Sequence, residues 1–198
     1  MAQLVLVAGP NGSGKTTLVR SGILADRLAP GIQLINADDI ALDLAAGALP
    51  TQEQSLHAAQ LGDDALDAAI TARRSVLMET VLSSDKLKRR VMNAKHVGYS
   101  VTLIYITVAS GALNIARVQQ RHAQGGHTIP AELILARRER SHALFGWFAR
   151  EADTVLIYDN SGFGRPTYQA GKTAGKWELQ TGAHLPLELA EAIKTMMG

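Results

Sequence analysis

The stretch GPNGSGKTT, residues 9–17, has the composition of a phosphate-binding loop. It satisfies the pattern G-x-x-x-x-G-K-[ST] from Gly9 to Thr16, between an apolar run typical of a strand and a run typical of a helix. Glycines let backbone N–H groups turn toward phosphate oxygens, and the helix N-terminus adds partial positive charge. We expect Lys15 to reach the β- and γ-phosphates of ATP and Thr16 to ligate Mg²⁺. The predicted ATP-binding residues are Gly9, Asn11, Gly12, Ser13, Gly14, Lys15, Thr16 and Thr17.

The loop alone does not identify what the nucleotide is used for. Transporter ATPases prefer the same loop sequence. They also need a Gly-rich signature and a strand that ends in Asp-Glu, and this sequence contains neither. Switch GTPases need an N-K-x-D motif, which is also absent. Small kinases need acids near strand ends for Mg²⁺ and the acceptor hydroxyl, and arginines on a lid that neutralise the transferred phosphoryl group. Both features are present.

The acids follow two predicted strands. Asp38 and Asp39 come just after the second strand, and Glu79 ends the third. Parallel strands present their carboxyl ends at one edge of a sheet, where ligands bind. A carboxylate at that edge can accept the proton of an acceptor hydroxyl or hold Mg²⁺ through water. An Asp in this position can instead cap or solvate the next helix, a role at least as well supported for Asp39.

The segment RVQQRHAQGGHTIP supplies candidate lid arginines. Arg117 and Arg121 are four residues apart and therefore share one helix face. That helix is predicted to stop at Gly125-Gly126, and another begins at Pro130. Arginines on a hinged helical pair can close over phosphates and exclude water. Paired surface arginines are also common on solvated faces, and the arginines at 137, 138 and 140 are less decisive.

The elements that must position these residues alternate between strand and helix. Apolar, often β-branched runs predict a mainly parallel five-stranded sheet. Helices between the strands make this a P-loop NTPase fold, a three-layer α/β/α sandwich of the α/β class. We expect one domain over 1–198, with a helical lid at about 112–150 and a turn-rich, hairpin-like extension at about 161–198. The predicted strands are Gln3–Ala8, Ile32–Asn36, Ser75–Thr80, 99–108 and 154–160.

Composition limits the partners and the compartment. The formal charge of +2 and the aromatic content of 5% do not favour nucleic acid, since strand-binding grooves need basic and stacking side chains. No cysteine is present, which excludes disulfides and thiolate metal sites. The first apolar run is too short to span a membrane. We therefore expect a cytoplasmic protein that binds neither membranes nor nucleic acid.

Four ordered motifs carry a family resemblance. N-x-D-x-I-A at 36–41, E-T-x-L-S-S at 79–84, R-V-x-x-R-x-x-x-G-G-H-x-[VI]-P at 117–130 and Y-D-N-S at 158–161 resemble the zeta-toxin family of P-loop kinases. The likeness is greatest to its compact bacterial branch, often labelled "predicted ABC-type ATPase". The family implies transfer of the ATP γ-phosphate to a sugar hydroxyl, which in the toxins belongs to UDP-N-acetylglucosamine. It also implies a toxin–antitoxin setting with an antitoxin protein as partner.

The resemblance assigns roles to individual residues. Asp38 takes the place of the catalytic base, Glu79 that of a substrate-binding acid, and Arg117 that of a phosphate-contacting arginine. Thr80 lies beside Glu79 in the same substrate motif. His127 falls where the toxins carry a second phosphate-binding arginine, and Arg121 could restore that charge.

Other positions match the family less well. Val81 and Ser83 depart from the toxin pattern, which leaves the acceptor open. Asp63 or Asp64 aligns only loosely with a further substrate acid.

The sequence thus supports an ATP-dependent small-molecule kinase whose acceptor is a hydroxyl, with a UDP-N-acetyl sugar as the suspected substrate. The predicted catalytic residues are Lys15, Asp38, Arg117 and Arg121; the predicted substrate-binding residues are Asp38, Glu79, Thr80 and His127. A nucleotide-hydrolysing regulatory module that acts on a protein partner is the alternative. A nucleic-acid end kinase is disfavoured by charge and composition.

Overall fold

A computed structural model describes residues 1–123 and 129–198 of the chain. The strands are β1 (Gln3–Ala8), β2 (Gln33–Ile35), β3 (Val76–Thr80), β4 (Ser100–Thr107), β5 (Thr154–Asp159), β6 (Thr167–Thr173) and β7 (Lys176–Leu179). They form one sheet in the order β2-β3-β1-β4-β5-β6-β7. The strand that leads into the phosphate-binding loop, β1, thus lies between β3 and β4.

The five predicted strands are confirmed, and they pair with one another in parallel. The sheet nevertheless has seven strands rather than five, because the C-terminal hairpin joins its edge. Strand β6 pairs antiparallel with β5, and β7 pairs antiparallel with β6. The tight turn at Ala174 and Gly175, with φ of 49° and 78°, is of the kind that suits a two-residue hairpin.

Helices cover both faces of the sheet, which confirms the three-layer α/β/α class. They are α1 (Lys15–Arg20), α2 (Ala37–Leu44), α3 (Gln52–Thr71), α4 (Lys86–His96), α5 (Gly111–Ala123), α6 (Ala131–Glu151) and α7 (Leu187–Met197). Alternate side chains of β1 enter two separate cores: Leu4 and Leu6 pack with α3, α4, α6 and α7, whereas Val5 and Val7 pack with Leu18 of α1.

Two helices differ from the sequence prediction. The run KTTLVRSGIL at 15–24 predicts that the helix after the loop continues to Leu24, but α1 ends at Arg20, because Gly22 turns the chain with φ 76° before a short 3₁₀ turn at Ala25–Arg27. Helix α2 was not predicted, since the acids at 38 and 39 were placed in the segment after β2. The Asn36 side chain accepts a hydrogen bond from the Asp38 backbone N–H at 2.9 Å and so caps this helix.

Within the described residues, no helix combines the length and apolar character needed to cross a bilayer. The inner face of α6 is built into the core through Ile134, Phe145 and Phe148. The Gly125-Gly126 hinge lies outside the described residues, so the lid remains a prediction.

Candidate active site

The phosphate-binding loop is fixed by two asparagines from distant parts of the chain. The Asn114 Nδ2 of α5 donates to the Asn11 carbonyl at 2.6 Å, and the Asn160 Nδ2, just after β5, donates to the Ser13 carbonyl at 2.8 Å. The Asn160 backbone N–H also donates to the Thr107 carbonyl at the end of β4. The loop is therefore held from both sides by its neighbouring elements, as a preorganised anion site requires.

Glycine is required where these neighbours approach the loop. At Gly12, with φ 72°, a Cβ would lie 2.7 Å from the Asn114 carbonyl oxygen. At Gly14, with φ 97°, it would lie against the Asn160 amide. Gly14 also caps α1 in the left-handed conformation, which turns the chain into the helix directly after the loop. The backbone cradle thus depends on residues without a side chain at these two positions.

Lys15 lies against the loop itself. Its Nζ donates to the carbonyls of Gly9 and Pro10 at 2.9 and 3.1 Å. Burial lowers the pKa of Lys15 to about 8, partly offset by the carboxylates of Asp38 and Glu79. The ammonium group is therefore poised between a charged and a neutral form near physiological pH, and an added anionic ligand would favour the charged form.

Thr16 and Glu79 are in direct contact. The Thr16 hydroxyl donates to Glu79 Oε2 at 2.7 Å, which joins the first turn of α1 to the carboxyl end of β3. Burial raises the pKa of Glu79, while the Thr16 hydroxyl and the Lys15 ammonium oppose that rise. The hydroxyl predicted to ligate the metal and the acid predicted to bind the substrate are therefore hydrogen-bonded to each other beside the loop.

Asp38 and Arg121 approach each other near Lys15 of the loop. Asp38 lies in the first turn of α2 and Arg121 near the end of α5, with 3.8 Å between Asp38 Oδ2 and Arg121 Nη1. Both side chains are largely exposed, so this ion pair contributes little to stability. Its significance is positional, because the Asp38 carboxylate also lies close enough to Lys15 to raise the lysine's pKa.

Arginines of α5 and α6 surround this region. Arg117 is half-buried, and it shares a helix face with Asn114 and Arg121 at spacings of three and four residues. On α6, burial and the neighbouring Arg140 lower the pKa of Arg137, while the Asp38 carboxylate raises it. Arg137, which the sequence left undecided, thus interacts electrostatically with the predicted base.

Several predicted or considered residues have other contacts. The Thr80 hydroxyl accepts from the Leu82 N–H at 3.0 Å and shapes the turn after β3. Asp39 pairs with Arg20 at 2.8 Å. Asp63 lies 3.5 Å from Arg90, whose guanidinium is bonded to Asp67, which fits a role in packing α3 against α4. Thr17 is exposed at the start of α1.

His127 lies outside the described residues, so its predicted substrate contact is not part of this geometry. Two surface cavities, of about 230 and 450 Å³, lie around Arg150 and Lys172 at the opposite end of the sheet from the loop. They share no lining residue with the site described above.

The loop and its surroundings fit a nucleoside triphosphate with Mg²⁺. The side-chain oxygens of Asn11 and Ser13 are buried without a hydrogen-bond partner in 1–123 and 129–198, inside a backbone cradle of glycines. Thr16 and Glu79 offer oxygen ligands only, which is the preference of Mg²⁺. No cluster of three or more His, Cys, Asp or Glu suited to a metal occurs in the described part of the chain. Mg²⁺ commonly needs only one or two protein oxygens beside phosphates.

The sequence reasoning missed two residues that shape the site. Asn114 was not singled out, and its only signal is a polar residue on the face of α5 that carries the predicted arginines. Asn160 was noted only as part of the Y-D-N-S motif. Their partners lie 103 and 147 residues away, so only the fold identifies their role.

Solved structures with the same fold include the AvrRxo1-ORF1:-ORF2 complex with ATP, at 17% identity and a TM-score of 0.72, covering 100% of this chain and 64% of that one. This chain therefore spans less than two thirds of that protein. The PezAT chromosomal toxin–antitoxin system of Streptococcus pneumoniae matches at 16% identity and a TM-score of 0.62, covering 99% and 84%. The Pnkp1/Rnl/Hen1 RNA repair complex matches at 20% identity and a TM-score of 0.53, covering 72% and 44%. At these identities the similarity establishes the fold alone.

In sequence, the chain is similar to an uncharacterized protein of Haemophilus influenzae, with 29% identity over 136 residues that cover 67% of this chain and 90% of that protein. A family match extends over residues 4–145, from β1 through the phosphate-binding loop, the acids and both helices that carry the arginines. The chain belongs to the AAA_33 family of AAA domains.

Proposed function

We propose that this protein is an ATP-dependent kinase that transfers the γ-phosphate to a hydroxyl group of a small molecule. The observation that carries the proposal is the approach of Asp38 and Arg121 to 3.8 Å beside the loop that holds Lys15. An acid and an arginine on opposite sides of a bound γ-phosphate are what phosphoryl transfer to a hydroxyl needs.

Each residue has a defined task in this reaction. Asp38 accepts the proton of the acceptor hydroxyl as its oxygen forms the new bond to the γ-phosphorus. The bond from that phosphorus to the β,γ-bridging oxygen breaks, and ADP leaves. Arg121, with Arg117 and Arg137, stabilises the charge on the transferred group, and Lys15 does so at the β- and γ-phosphates.

Thr16 and Glu79 are the residues that would hold Mg²⁺, Thr16 directly and Glu79 directly or through water. When bound, Mg²⁺ neutralises charge on the β- and γ-phosphates. The hydrogen bond between Thr16 and Glu79 supports a place for Glu79 on the metal side of the site, in addition to the substrate contact that the family resemblance implies.

The acceptor is proposed to be a sugar nucleotide of the UDP-N-acetyl type, on the resemblance of the acid motifs to the zeta-toxin family. The two solved complexes with the highest similarity described above each pair the matched chain with a second component. An antitoxin-like protein is accordingly proposed as a partner.

The test is a phosphate-transfer screen with γ-labelled ATP against UDP-sugars, nucleosides and oligonucleotides. We expect label on a UDP-sugar, and a loss of about 10²–10⁴-fold in Asp38→Ala. Asp43→Ala is the matched control, because Asp43 is an exposed acid on the same helix. ATP hydrolysis that no acceptor changes, with equal rates in both variants, would instead support the regulatory module.

A further inference from the structure

A chain of hydrogen bonds connects the phosphate-binding loop to α6. Asn114 is fully buried, and both ends of its amide are used: Nδ2 donates to the Asn11 carbonyl at 2.6 Å, and Oδ1 accepts from Arg138 Nη1 at 2.9 Å. A buried amide is costly unless its polar atoms are paired. Here the pairing joins the loop, α5 and α6.

Arg138 and the Asn11 carbonyl together fix which way the Asn114 amide points. A guanidinium can only donate hydrogen bonds, so it requires the amide oxygen on its side. The Nδ2 donor must then face the Asn11 carbonyl. Without the guanidinium, the buried amide oxygen would lose the partner that holds it, and the Asn11 carbonyl would be the one remaining hydrogen-bond partner described for the Asn114 amide.

The loop segment held by this amide is the one that must approach phosphate. Asn11 is followed by Gly12, whose Cβ position lies 2.7 Å from the Asn114 carbonyl oxygen, and Val118 of the same helix also packs there. The backbone at Asn11 and Gly12 therefore has little freedom as long as α5 is in place. Misplacing donors by an ångström is enough to lose most of their effect on a bound anion.

We propose that Arg138 and Asn114 are positioning residues that hold the phosphate-binding loop in the shape that accepts the ATP triphosphate, with Arg138 acting by anchoring the Asn114 amide. The inference rests on nucleotide binding at the loop, as in the proposed function. It adds a consequence: Arg138 adjoins Arg137, so the residue that supports the loop and an arginine that interacts electrostatically with Asp38 are neighbours on α6.

The experiment measures the dissociation constants of ATP and of inorganic tripolyphosphate by titration calorimetry, well below the melting temperature of each variant. Arg138→Met removes the donors at similar length and should weaken both ligands by about tenfold or more. Arg138→Lys keeps a charged donor and should stay within about threefold of the wild type. Arg150→Met, on the same helix but at the opposite end of the sheet, should leave both constants unchanged.

A double-mutant cycle separates positioning from general destabilisation. If Arg138 acts through Asn114, then Arg138→Met should have no further effect on ATP affinity in an Asn114→Ala background. Effects that multiply, or a lower melting temperature with wild-type ATP affinity, would overturn the inference. Should Arg138→Met not fold, Arg138→Gln takes its place, and unchanged ATP affinity in that variant overturns the inference equally.

The two proposals fail in different ways. A wild-type protein that binds neither ATP nor tripolyphosphate contradicts the proposed function, and the inference with it. If the wild type binds ATP and the variants bind it with the same affinity, only the inference is contradicted.

Discussion

The Thr16 hydroxyl donates a hydrogen bond of 2.7 Å to the Glu79 carboxylate, although 63 residues separate the two in the chain. The parallel pairing of β1 with β3 makes this contact possible, because Ala8 lies in register with Thr80 and the two strands end side by side. The carboxylate that sequence motifs assign to the substrate thus also contacts the hydroxyl expected to ligate the metal.

We predict that Glu79→Gln raises the Mg²⁺ concentration needed for half-maximal ATP turnover, and that Thr16→Val acts in the same direction. Both changes remove an oxygen that the metal or its waters would use. The measurement is a Mg²⁺ titration of turnover at saturating ATP, with Glu53→Gln as a control at an exposed acid of α3. An unchanged Mg²⁺ requirement with a raised KM for the acceptor would instead assign Glu79 to the acceptor alone.

ATP binding should be coupled to proton uptake by Lys15 at alkaline pH. Burial lowers the pKa of this lysine to about 8, so about half of the molecules carry a neutral amine at pH 8. A bound triphosphate favours the charged form, and the protein should therefore take up about half a proton. Calorimetry in two buffers of different ionisation enthalpy, with excess Mg²⁺, measures this number. Binding enthalpies that do not depend on the buffer would contradict the prediction.

Gly12→Ala should lower both the free energy of unfolding and the affinity for ATP more than Gly22→Ala does. Both glycines have similar positive φ angles, 72° and 76°, so both substitutions incur about 1–2 kcal/mol of backbone strain. Only at Gly12 would the new methyl group meet a backbone oxygen, whereas nothing lies within 4 Å of that position at Gly22. Chemical denaturation and ATP titration of both variants test this. Equal losses of stability and ATP affinity in the two variants would mean that the Asn114 backbone can shift to make room for the new methyl group.

Folding stability should fall between pH 6.5 and pH 4 in a way that depends on His142. Burial and the nearby Arg138 lower the pKa of this histidine to about 4, against the opposing Glu188. The unfolded chain therefore binds a proton in this interval that the folded protein does not, and stability decreases as the pH falls, by at most about 3 kcal/mol. Denaturation of the wild type and of His142→Gln across this range gives the difference, and parallel pH profiles would refute it.

Arg137→Met should reduce kcat with a smaller effect on ATP affinity. The Asp38 carboxylate raises the pKa of this guanidinium, against burial and Arg140, and in the proposed reaction a cation that interacts with Asp38 would act on the acceptor side of the phosphates. Losing a cation there should cost at least about tenfold in turnover. Single-turnover phosphate transfer and ATP titration separate the two effects, with Arg150→Met as control. A large loss of ATP affinity with normal kcat would contradict this prediction and would assign Arg137 to nucleotide binding.

Most of the parallel sheet could be predicted, because its strands are apolar, β-branched runs buried on both faces. The strand Gln3–Ala8 was predicted with its observed bounds. The end of α1 was not, since the apolar residues Ile23 and Leu24 continue the helical pattern beyond Gly22 although the helix stops at Arg20. The hairpin was expected from its turns, but its pairing with β5 depends on which sheet edge remains open, and local patterns do not reveal that.

The site was predictable where chemistry and local pattern coincide. The loop, Asp38 and Arg121 have recognisable motifs, and the fold brings Asp38 and Arg121 together. Asn114 and Arg137 have no such pattern, and Asn160 was noted only as part of the Y-D-N-S motif. Their importance arises from contacts across the fold, and an Asn or Arg on a helix is usually a surface residue.

The helical pair of α2 and α3, attached beside the edge strand β2, is one continuous segment of about 36–71 and carries Asp38. The nucleotide side is assembled instead from residues scattered between Gly9 and Asn160. Recombination or design could therefore exchange the helical pair that carries Asp38 as a single continuous segment. Changing the nucleotide side would require coordinated substitutions in several distant stretches of the chain.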